Sequence, residues 1–279
     1  MIDCILDGLI DTLKLMPYLL ITFLILEVLE HKLSKKSENI LKNSKKIGPL
    51  LGGILGAAPQ CGFSTMASNL YATRIITKGT LIAIFLSTSD EMLPIMISEH
   101  ESITTLLGII LFKVAVGIII GFIIDIFFKE KEENRITEIH KHCEDEHCHC
   151  EDGIIKSSVI HTLKIATFIL LINVVLNIVI ETIGEETLSK LLLNKNIFTY
   201  FIASLIGLIP NCASSVVMTE LYLENVITIG TLLAGLLPGS GLGILMLFKE
   251  NKNRKQNITI LGTIYLIGVI LGILVDVII

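Results

Sequence analysis

The sequence has no tryptophan, few aromatic residues and few charges. Of its 279 residues, 6% are aromatic and 18% are charged, whereas 52% are hydrophobic and the mean hydropathy is +0.76. So low a charge content, combined with long apolar runs, excludes an ordinary soluble domain. The scarcity of Trp and Tyr also excludes dense aromatic belts at a membrane interface. The formal net charge of -5 gives no sign of a nucleic-acid partner.

Several motifs are missing as well. There is no nucleotide-binding loop and no Asp-Lys-Thr-Gly phosphorylation motif, so we expect no ATP-driven motor within this chain. The interiors of the apolar runs hold no histidine that could activate a thiol, so no enzymatic activity is expected. Asp3, Asp7 and Asp11 precede the first lysine, which is not the basic start of a cleavable signal peptide. The first apolar run is therefore expected to remain as a helix.

Six apolar runs are long enough, or nearly so, to cross the ~30 Å hydrocarbon core of a bilayer. Such runs are typical of spanning helices, and the sequence therefore predicts an all-α polytopic membrane protein. The runs are residues 15–29, 79–97, 103–128, 159–180, 226–248 and 258–279.

One polar sequence occurs twice within these apolar surroundings, 151 residues apart. Residues 56–83 and 207–234 are identical at 12 of 28 positions without a gap, against roughly 2 expected by chance. In both copies a proline, an amide and a cysteine interrupt the apolar sequence, at residues 59–61 and 210–212. A duplicated break of this kind is typical of transporters that build a central site from two half-molecules.

Each copy predicts a re-entrant helical hairpin with its tip near the middle of the membrane. The pieces on either side of each break contain about 12 residues, or about 18 Å of helix, which is too short to cross alone. They are residues 47–58 and 61–73 in the first half, and 197–209 and 212–223 in the second. With three spanning helices in each half, ten helical segments are expected in total.

Loop charges predict opposite orientations for the two halves. Residues 31–46 contain six lysines and are expected in the cytoplasm, whereas the loop with Glu99 and Glu101 is expected outside. In the second half the signs reverse, since residues 181–186 contain three glutamates and residues 249–255 contain four basic residues. We therefore predict two inverted-topology repeats.

The chain thus divides into two membrane repeats, residues 1–128 and 156–279, joined by a polar linker at residues 129–155. The charge pattern predicts a plasma-membrane protein with a cytoplasmic linker and both termini outside. Because thiols stay reduced in the cytoplasm, the His/Cys cluster of the linker favours metal ligation over disulfides. The expected bound ion is zinc or another thiophilic ion. A plain polar linker is the alternative, and no cofactor is required for transport. The candidate metal ligands are His140, His142, Cys143, His147, Cys148, His149 and Cys150.

The hairpin tips carry the candidate substrate-binding residues. After each break, polar side chains recur at helical spacing on one face of the next helix. The free N–H groups at the start of that helix point to the same centre, and unwound backbone at this depth favours a cavity. One thiophilic ion could bridge the two cysteines, although small residues here could equally serve close helix packing. The candidates are Gln60, Cys61, Ser64, Asn211, Cys212 and Ser215.

Two carboxylates lie within a predicted membrane span, where a buried charge costs free energy. Asp90 and Glu91 fall within the apolar run 79–97, and acids at such depth usually face a pathway or a cationic partner. The equivalent stretch of the second half, residues 237–241, has no acid, so we predict ion coupling by Asp90 and Glu91 in the first half alone. Lys113 could pair with either acid, which would give the acids a structural role.

A glycine pattern also repeats in the later helices. Its Gly-xxx-Gly spacing predicts a face for close helix packing in lipid. The residues are Gly117, Gly121 and Asp125 in the first half and Gly268, Gly272 and Asp276 in the second.

Five motifs together resemble one known family. They are Pro-Gln-Cys-Gly-Phe-Ser at 59–64, Pro-Asn-Cys-Ala-Ser-Ser at 210–215, Leu-Ser-Thr-Ser-Asp-Glu-Met-Leu-Pro at 86–94, Leu-Leu-Pro-Gly-Ser-Gly at 236–241 and the His/Cys-rich middle loop. Over essentially its whole length the chain resembles the ten-helix heavy-metal exporters. Members of this family are also labelled arsenic efflux proteins or manganese transporters, and the family is related in name to the ArsP permeases. The resemblance implies efflux of a metal or metalloid.

The combined prediction is a secondary-active transporter that exports a thiophilic metal ion or an arsenical through the two tips. Its expected partners are that ion, a proton or another coupling ion, and the lipid bilayer. A divalent cation exporter of the Mn(II) type would instead rely on Asp90 and Glu91. A small-anion permease would use the two helix N-termini, and a metal sensor without transport would use the linker.

Overall fold

The computed structural model describes residues 47–57, 61–89, 92–128 and 196–278, together with isolated helical positions between 10 and 24 and between 159 and 174. All regular secondary structure in these ranges is α-helical. The helices of the first half are α1 (Ile47–Gly56), α2 (Cys61–Ala72), α3 (Lys78–Ser87), α4 (Met92–Ser98) and α5 (Ile103–Phe127). Those of the second half are α6 (Phe198–Gly207), α7 (Cys212–Leu223), α8 (Ile229–Leu236), α9 (Gly243–Glu250) and α10 (Arg254–Ile278). The predicted all-α class is confirmed.

The predicted hairpin arms are helices of the expected lengths. α1 and α2 lie on the two sides of the first break, and α6 and α7 lie on the two sides of the second. α2 and α7 both contain 12 residues, and both bounds of α7 lie 151 positions after those of α2. The second break therefore falls at Pro210 and Asn211 as predicted, whereas residues 58–60 of the first lie outside the described part of the chain.

Two predicted spans are interrupted. The run 226–248 was expected to be a single helix, but α8 ends at Leu236 and α9 begins at Gly243. The physical reason is the sequence Pro238-Gly239-Ser240-Gly241, because proline and two glycines cannot continue a helix cheaply. In the first half α3 ends at Ser87, and Thr88 and Ser89 are not helical.

Three stretches of the described chain could cross a membrane by length and composition. They are residues 78–98, which include α3 and α4, and the helices α5 and α10. In the most apolar 18-residue stretch of α5, and in that of α10, only 28% is buried. Both helices present large apolar side chains outward, such as Leu111 (65% exposed) and Leu266 (53%). Such faces are stable against lipid and not against water, so the chain is a multi-pass membrane protein.

The core is built on α3 and α8. All ten residues of α3 are buried, and so are seven of the eight residues of α8. A helix that is apolar on every side belongs in the interior. α3 packs on α5, and α8 packs on α6 and α10.

Small residues allow these helix pairs to approach closely. A Cβ on Gly121 would lie 2.7 Å from the Gly79 carbonyl oxygen, and a Cβ on Gly272 would lie 2.6 Å from the Gly230 carbonyl oxygen. No side chain fits at such distances, so the predicted Gly-xxx-Gly packing faces are confirmed in both halves.

The two halves also pack across each other in a reciprocal way. α2 of the first half packs against α9 of the second, and α7 of the second half packs against α4 of the first. Because α9 begins 151 positions after α4 begins, the two contacts are equivalent. A two-fold relation between the halves requires such a pair of contacts.

Candidate functional site

The tip helices α2 and α7 begin at the two predicted cysteines, Cys61 and Cys212. A stripe of buried polar side chains follows each cysteine on the same helix. In α2 the stripe contains Ser64, Thr65, Ser68 and Asn69, and in α7 it contains Ser214, Ser215 and Thr219. The predicted polar face is therefore real in both halves, and it points into protein.

Several hydroxyls of these stripes donate to carbonyl oxygens of their own helix or of the residue before it. The Thr65 hydroxyl donates to the Gly62 carbonyl oxygen at 2.8 Å, and the Thr219 hydroxyl donates to the Ser215 carbonyl oxygen at 2.7 Å. Ser214 donates to the Asn211 carbonyl oxygen at 2.9 Å, which satisfies backbone exposed by the break. These bonds let polar side chains stay buried at low cost.

Ser64 lies where the two halves meet. A Cβ on Gly243 of α9 would lie 2.7 Å from the Ser64 Cβ, and the Ser68 hydroxyl donates to the Gly243 carbonyl oxygen at 2.7 Å. Ser64 is fully buried. Ser64 therefore takes part in a close contact between α2 and α9.

The structure places three of the six predicted tip residues. Ser64, Asn211 and Ser215 are buried, at 0%, 5% and 7% exposure. Other predicted residues lie outside the described part of the chain: Gln60, the side chains of Cys61 and Cys212, the pair Asp90 and Glu91, and the linker ligands His140, His142, Cys143, His147, Cys148, His149 and Cys150. Among the described residues, no group of three or more His, Cys, Asp or Glu could hold a metal ion.

Lys113 occupies a central position that the sequence did not reveal. Its side chain is 1% exposed, and its ammonium donates to the Thr88 carbonyl oxygen and, at 2.8 Å, to the Leu236 carbonyl oxygen. Thr88 directly follows the last residue of α3 and Leu236 is the last residue of α8, so one ammonium contacts the chain at the carboxyl ends of both core helices. The expected pairing with Asp90 or Glu91 involves residues that are not described.

The opposite ends of these two helices meet a carboxyl group. Asp125 of α5 accepts hydrogen bonds from the Thr77 hydroxyl at 2.6 Å and from the Gly79 N–H at 2.9 Å, at the start of α3. Asp276 of α10 accepts the equivalent bonds from the Thr228 hydroxyl and the Gly230 N–H. Sequence reasoning assigned these aspartates only to a packing face. A shared role for these aspartates could have been predicted, because the threonine, the glycine and the aspartate all recur 151 positions apart in the sequence.

Two buried polar side chains have no hydrogen-bond partner among the described residues. They are Asn69, whose amide nitrogen and oxygen are both unbonded, and Ser240, whose hydroxyl is unbonded. Asn69 is 2% exposed and follows Ser68, whereas Ser240 precedes Gly243 by three residues and is fully buried. Both therefore lie near the contact between α2 and α9. Buried polar groups without protein partners commonly bind water or a ligand.

An apolar cavity of about 190 Å³ lies between α1 and α2 and extends to α3. Its lining includes Leu51, Leu55, Phe63 and Met66, with Thr77 and Thr80 as the hydroxyl-bearing residues. The side chains of this lining are mostly apolar, and those that could ligate a metal ion are the Met66 thioether and the two threonine hydroxyls. The cavity is therefore separate in chemistry from the polar stripes of the tips.

Broken helices, buried polar stripes and apolar outer faces together define a polytopic membrane protein of the transporter type. The profile of one family, described as "Putative, 10TM heavy-metal exporter", matches residues 1–184. This match covers more than half of the chain, so the protein belongs to this family of heavy-metal exporters with ten transmembrane helices. No curated protein and no solved structure gives a significant match.

Proposed function

We propose that the protein is a secondary-active exporter of a thiophilic metal ion or metalloid, with its central site at the tips of the hairpins α1–α2 and α6–α7. Its family supports export of a heavy metal. The observation that carries the location is that α2 and α7 both begin at a cysteine and continue with a buried polar stripe. Soft thiolate ligands select soft ions, which favours arsenicals, Cd(II), Zn(II) or Cu(I) over hard cations.

In this proposal Cys61 and Cys212 bind the ion. Gln60, Asn211, Ser64 and Ser215 orient it, either directly or through water held near the unbonded groups of Asn69 and Ser240. Asp90 and Glu91 exchange protons as the ion moves.

The two halves form inverted-topology repeats, and one repeat rocks against the other to open the site to either side. The reciprocal contacts of α2 with α9 and of α7 with α4 support a two-fold relation. The loop charges support opposite insertion, with the linker in the cytoplasm and both termini outside. The linker would then capture zinc or another thiophilic ion on the side from which export begins.

A metal-sensitivity panel in a host without its own exporters tests the proposal. The panel compares arsenite, Mn(II), Zn(II), Cd(II) and Cu(I). We expect protection against one or more of the thiophilic species. The Cys61→Ser/Cys212→Ser variant should reduce that protection by at least roughly tenfold, since both ligands are lost.

Cys4→Ser is the matched control, because Cys4 lies outside the hairpins, and it should protect like the wild type. Full protection by the Cys61→Ser/Cys212→Ser variant would contradict the thiol site. Protection against Mn(II) alone, lost in Asp90→Asn, would support the hard-cation exporter instead.

A further inference from the structure

Arg74 forms the turn after α2 with a backbone conformation that suits other residues better. Its φ angle is 60°, and the equivalent residue of the second half, Asn225, has a φ angle of 58°. Asparagine and glycine adopt this left-handed conformation readily, whereas other side chains make it costly. The turn alone therefore gives no reason for an arginine. An unfavourable conformation of this kind is commonly offset by a contact that the residue makes elsewhere.

The Arg74 side chain makes its contact across the two halves of the molecule. Its Nη2 atom donates to the Gln256 Oε1 atom at 2.9 Å, and Gln256 lies in the first turn of α10. The guanidinium also lies 5.2 Å from the centre of the Tyr71 ring, and Tyr71 is fully buried. Arg74 and Gln256 are both half-buried, so solvent screens their bond less than an exposed one. A charge-assisted hydrogen bond thus joins the end of α2 to the start of α10.

The equivalent residues of this pair bond locally instead. Gln256 corresponds to Thr105, whose hydroxyl lies 2.7 Å from the Ser102 hydroxyl, and Arg74 corresponds to Asn225, whose amide donates to the Leu223 carbonyl oxygen at 3.4 Å. The bond between the halves is therefore asymmetric. By the loop charges, it lies on the predicted cytoplasmic side.

The bond lies at the outer end of the main contact between the halves. Ser64 of α2 packs against Gly243 of α9, and α9 ends at Glu250, shortly before α10 begins at Arg254. Arg74 and Gln256 therefore continue the contact of α2 with the second half beyond the end of α9. If the halves rock apart on this side, α2 leaves α9 and the hydrogen bond has to break.

We propose that the Arg74–Gln256 hydrogen bond is a latch that holds the two halves together on the side of Arg74. A contact made in one conformation and lost in the other shifts the equilibrium toward the first. The latch therefore favours the conformation that is closed on this side. Its role in alternating access rests on the proposed function, whereas its hold on the closed conformation does not.

Cysteine modification rates of the purified full-length protein in detergent, without added metal, test the latch. Ser64→Cys, in a background without the six native cysteines, should react with a small thiol reagent only when α2 and α9 separate. When closing is fast, this rate follows the population of the open conformation. Arg74→Asn and Gln256→Thr each install the residue of the other half, and each should raise the rate roughly tenfold, because a hydrogen bond to a charged group is lost.

The double variant isolates this pair from any other contact of either side chain. It should react no faster than Arg74→Asn alone, because both substitutions remove the same bond. Gln256→Glu should slow the reaction, since a carboxylate binds a guanidinium more strongly than an amide does. Arg254→Asn is the matched control, because it removes the same charge from an exposed position at the start of α10. It should leave the rate unchanged.

Ser215→Cys distinguishes a latch from general loosening. Ser215 is the equivalent of Ser64 on α7, which packs against α4, and it is 7% exposed. Opening on the side of Arg74 does not require α7 to leave α4. The modification rate of Ser215→Cys should therefore stay the same or fall in Arg74→Asn and Gln256→Thr.

Three results would overturn the proposal. These are an unchanged rate of Ser64→Cys in both latch variants, equal acceleration of Ser64→Cys and Ser215→Cys, and a double variant in which the two single effects multiply. Since no metal is present, none of these results depends on the cargo. Failure of the metal panel with success here would reject the exporter proposal and keep the latch, whereas the reverse outcome would reject the latch alone.

Discussion

Asp125 and Asp276 fix the amino ends of the two core helices. Each carboxyl group accepts a hydrogen bond from one threonine hydroxyl and another from one backbone N–H at the start of α3 or α8. Negative charge is favourable at a helix amino end, where N–H groups lack helical partners. The shared Lys113 ammonium lies at the carboxyl ends of the same helices. Both core helices are therefore terminated by side chains of the neighbouring long helices.

The two aspartates differ in one respect that can be measured. The Tyr200 hydroxyl also donates to Asp276 at 2.7 Å, whereas the equivalent of Tyr200 in the first half is Pro49. We expect Asp125→Asn to lower the free energy of unfolding by about 1–3 kcal/mol, and Asp276→Asn to lower it further, because hydrogen bonds to a charged group are the stronger ones. Thermal unfolding in detergent is the measurement.

Tyr200→Phe supplies the control for this pair. In that background Asp276 loses its third hydrogen-bond donor. Asp276→Asn should then lower the free energy of unfolding by the same amount as Asp125→Asn. A difference that persists in the Tyr200→Phe background would mean that the hydroxyl is not its source.

Single residues in the centre were the hardest to predict from the sequence. Ser215 was assigned to a polar face and lies on the buried stripe of α7, and Asn211, expected beside that face, is buried just before the helix. The expected pairing of Lys113 with Asp90 or Glu91 falls on residues outside the described part of the chain, whereas its contacts with two carbonyl oxygens were not predicted. A sequence displays charged side chains but not the backbone groups that a broken helix exposes. The Leu236 carbonyl oxygen becomes available only because α8 ends there.

At the scale of the helix, the breaks differ in how visible they are in the sequence. The break between α6 and α7 contains Pro210 and Asn211 and separates two short apolar pieces, so its position was predicted correctly. The break between α8 and α9 lies inside a run whose average hydropathy is high, and it was missed despite Pro238. Hydropathy averaged over a stretch of sequence identifies a membrane span, but it hides a short interruption of the helix within that span.

The glycine faces give a prediction for helix packing. A Cβ on Gly121 would lie 2.9 Å from the Ala83 Cβ, and a Cβ on Gly272 would lie 2.7 Å from the Ala234 Cβ, in addition to the close carbonyl contacts. Gly121→Ala and Gly272→Ala should therefore force the helices apart and cost about 1–3 kcal/mol each. Thermal unfolding midpoints of the purified variants check this expectation.

Two other glycines of the same helices serve as matched controls. A Cβ on Gly108 of α5 or on Gly262 of α10 would meet no described atom within 4 Å. Gly108→Ala and Gly262→Ala should leave stability unchanged or raise it by up to about 1 kcal/mol, because alanine favours helix more than glycine does. If these controls lose as much stability as Gly121→Ala, helix packing is not the cause.

At the scale of the whole molecule, equivalent parts recur at one constant separation. α5 and α10 begin and end 151 positions apart, and Arg74 and Asn225, which follow α2 and α7, both have positive φ angles near 60°. The dense sequence identity lies in residues 56–83 and 207–234, and beyond it the glycine and aspartate positions of α5 and α10 also match, but the structural equivalence covers both long helices to the end of α10. Helix length and turn geometry thus persist where side chains have diverged.

The predicted opposite insertion of the two halves can be tested at equivalent positions. Ser102 and Asn253 are 151 positions apart, are both exposed, and both accept a backbone N–H at the start of a long helix, from Thr105 and Gln256 respectively. If the repeats are inverted, these positions lie on opposite sides of the membrane. Charge predicts that Ser102 lies outside, next to Glu101, and that Asn253 lies inside, between Lys252 and Arg254.

Cysteine labelling in intact cells measures this directly. In a background without the six native cysteines, a membrane-impermeant maleimide should label Ser102→Cys at once and label Asn253→Cys only after the membrane is permeabilised. The background protein itself should remain unlabelled in both conditions. Labelling of both variants from the same side would contradict the inverted repeat. Labelling of Asn253→Cys alone would keep the inversion and reverse its orientation, which would put the His/Cys-rich linker on the outer face and remove its proposed role in capturing ions for export.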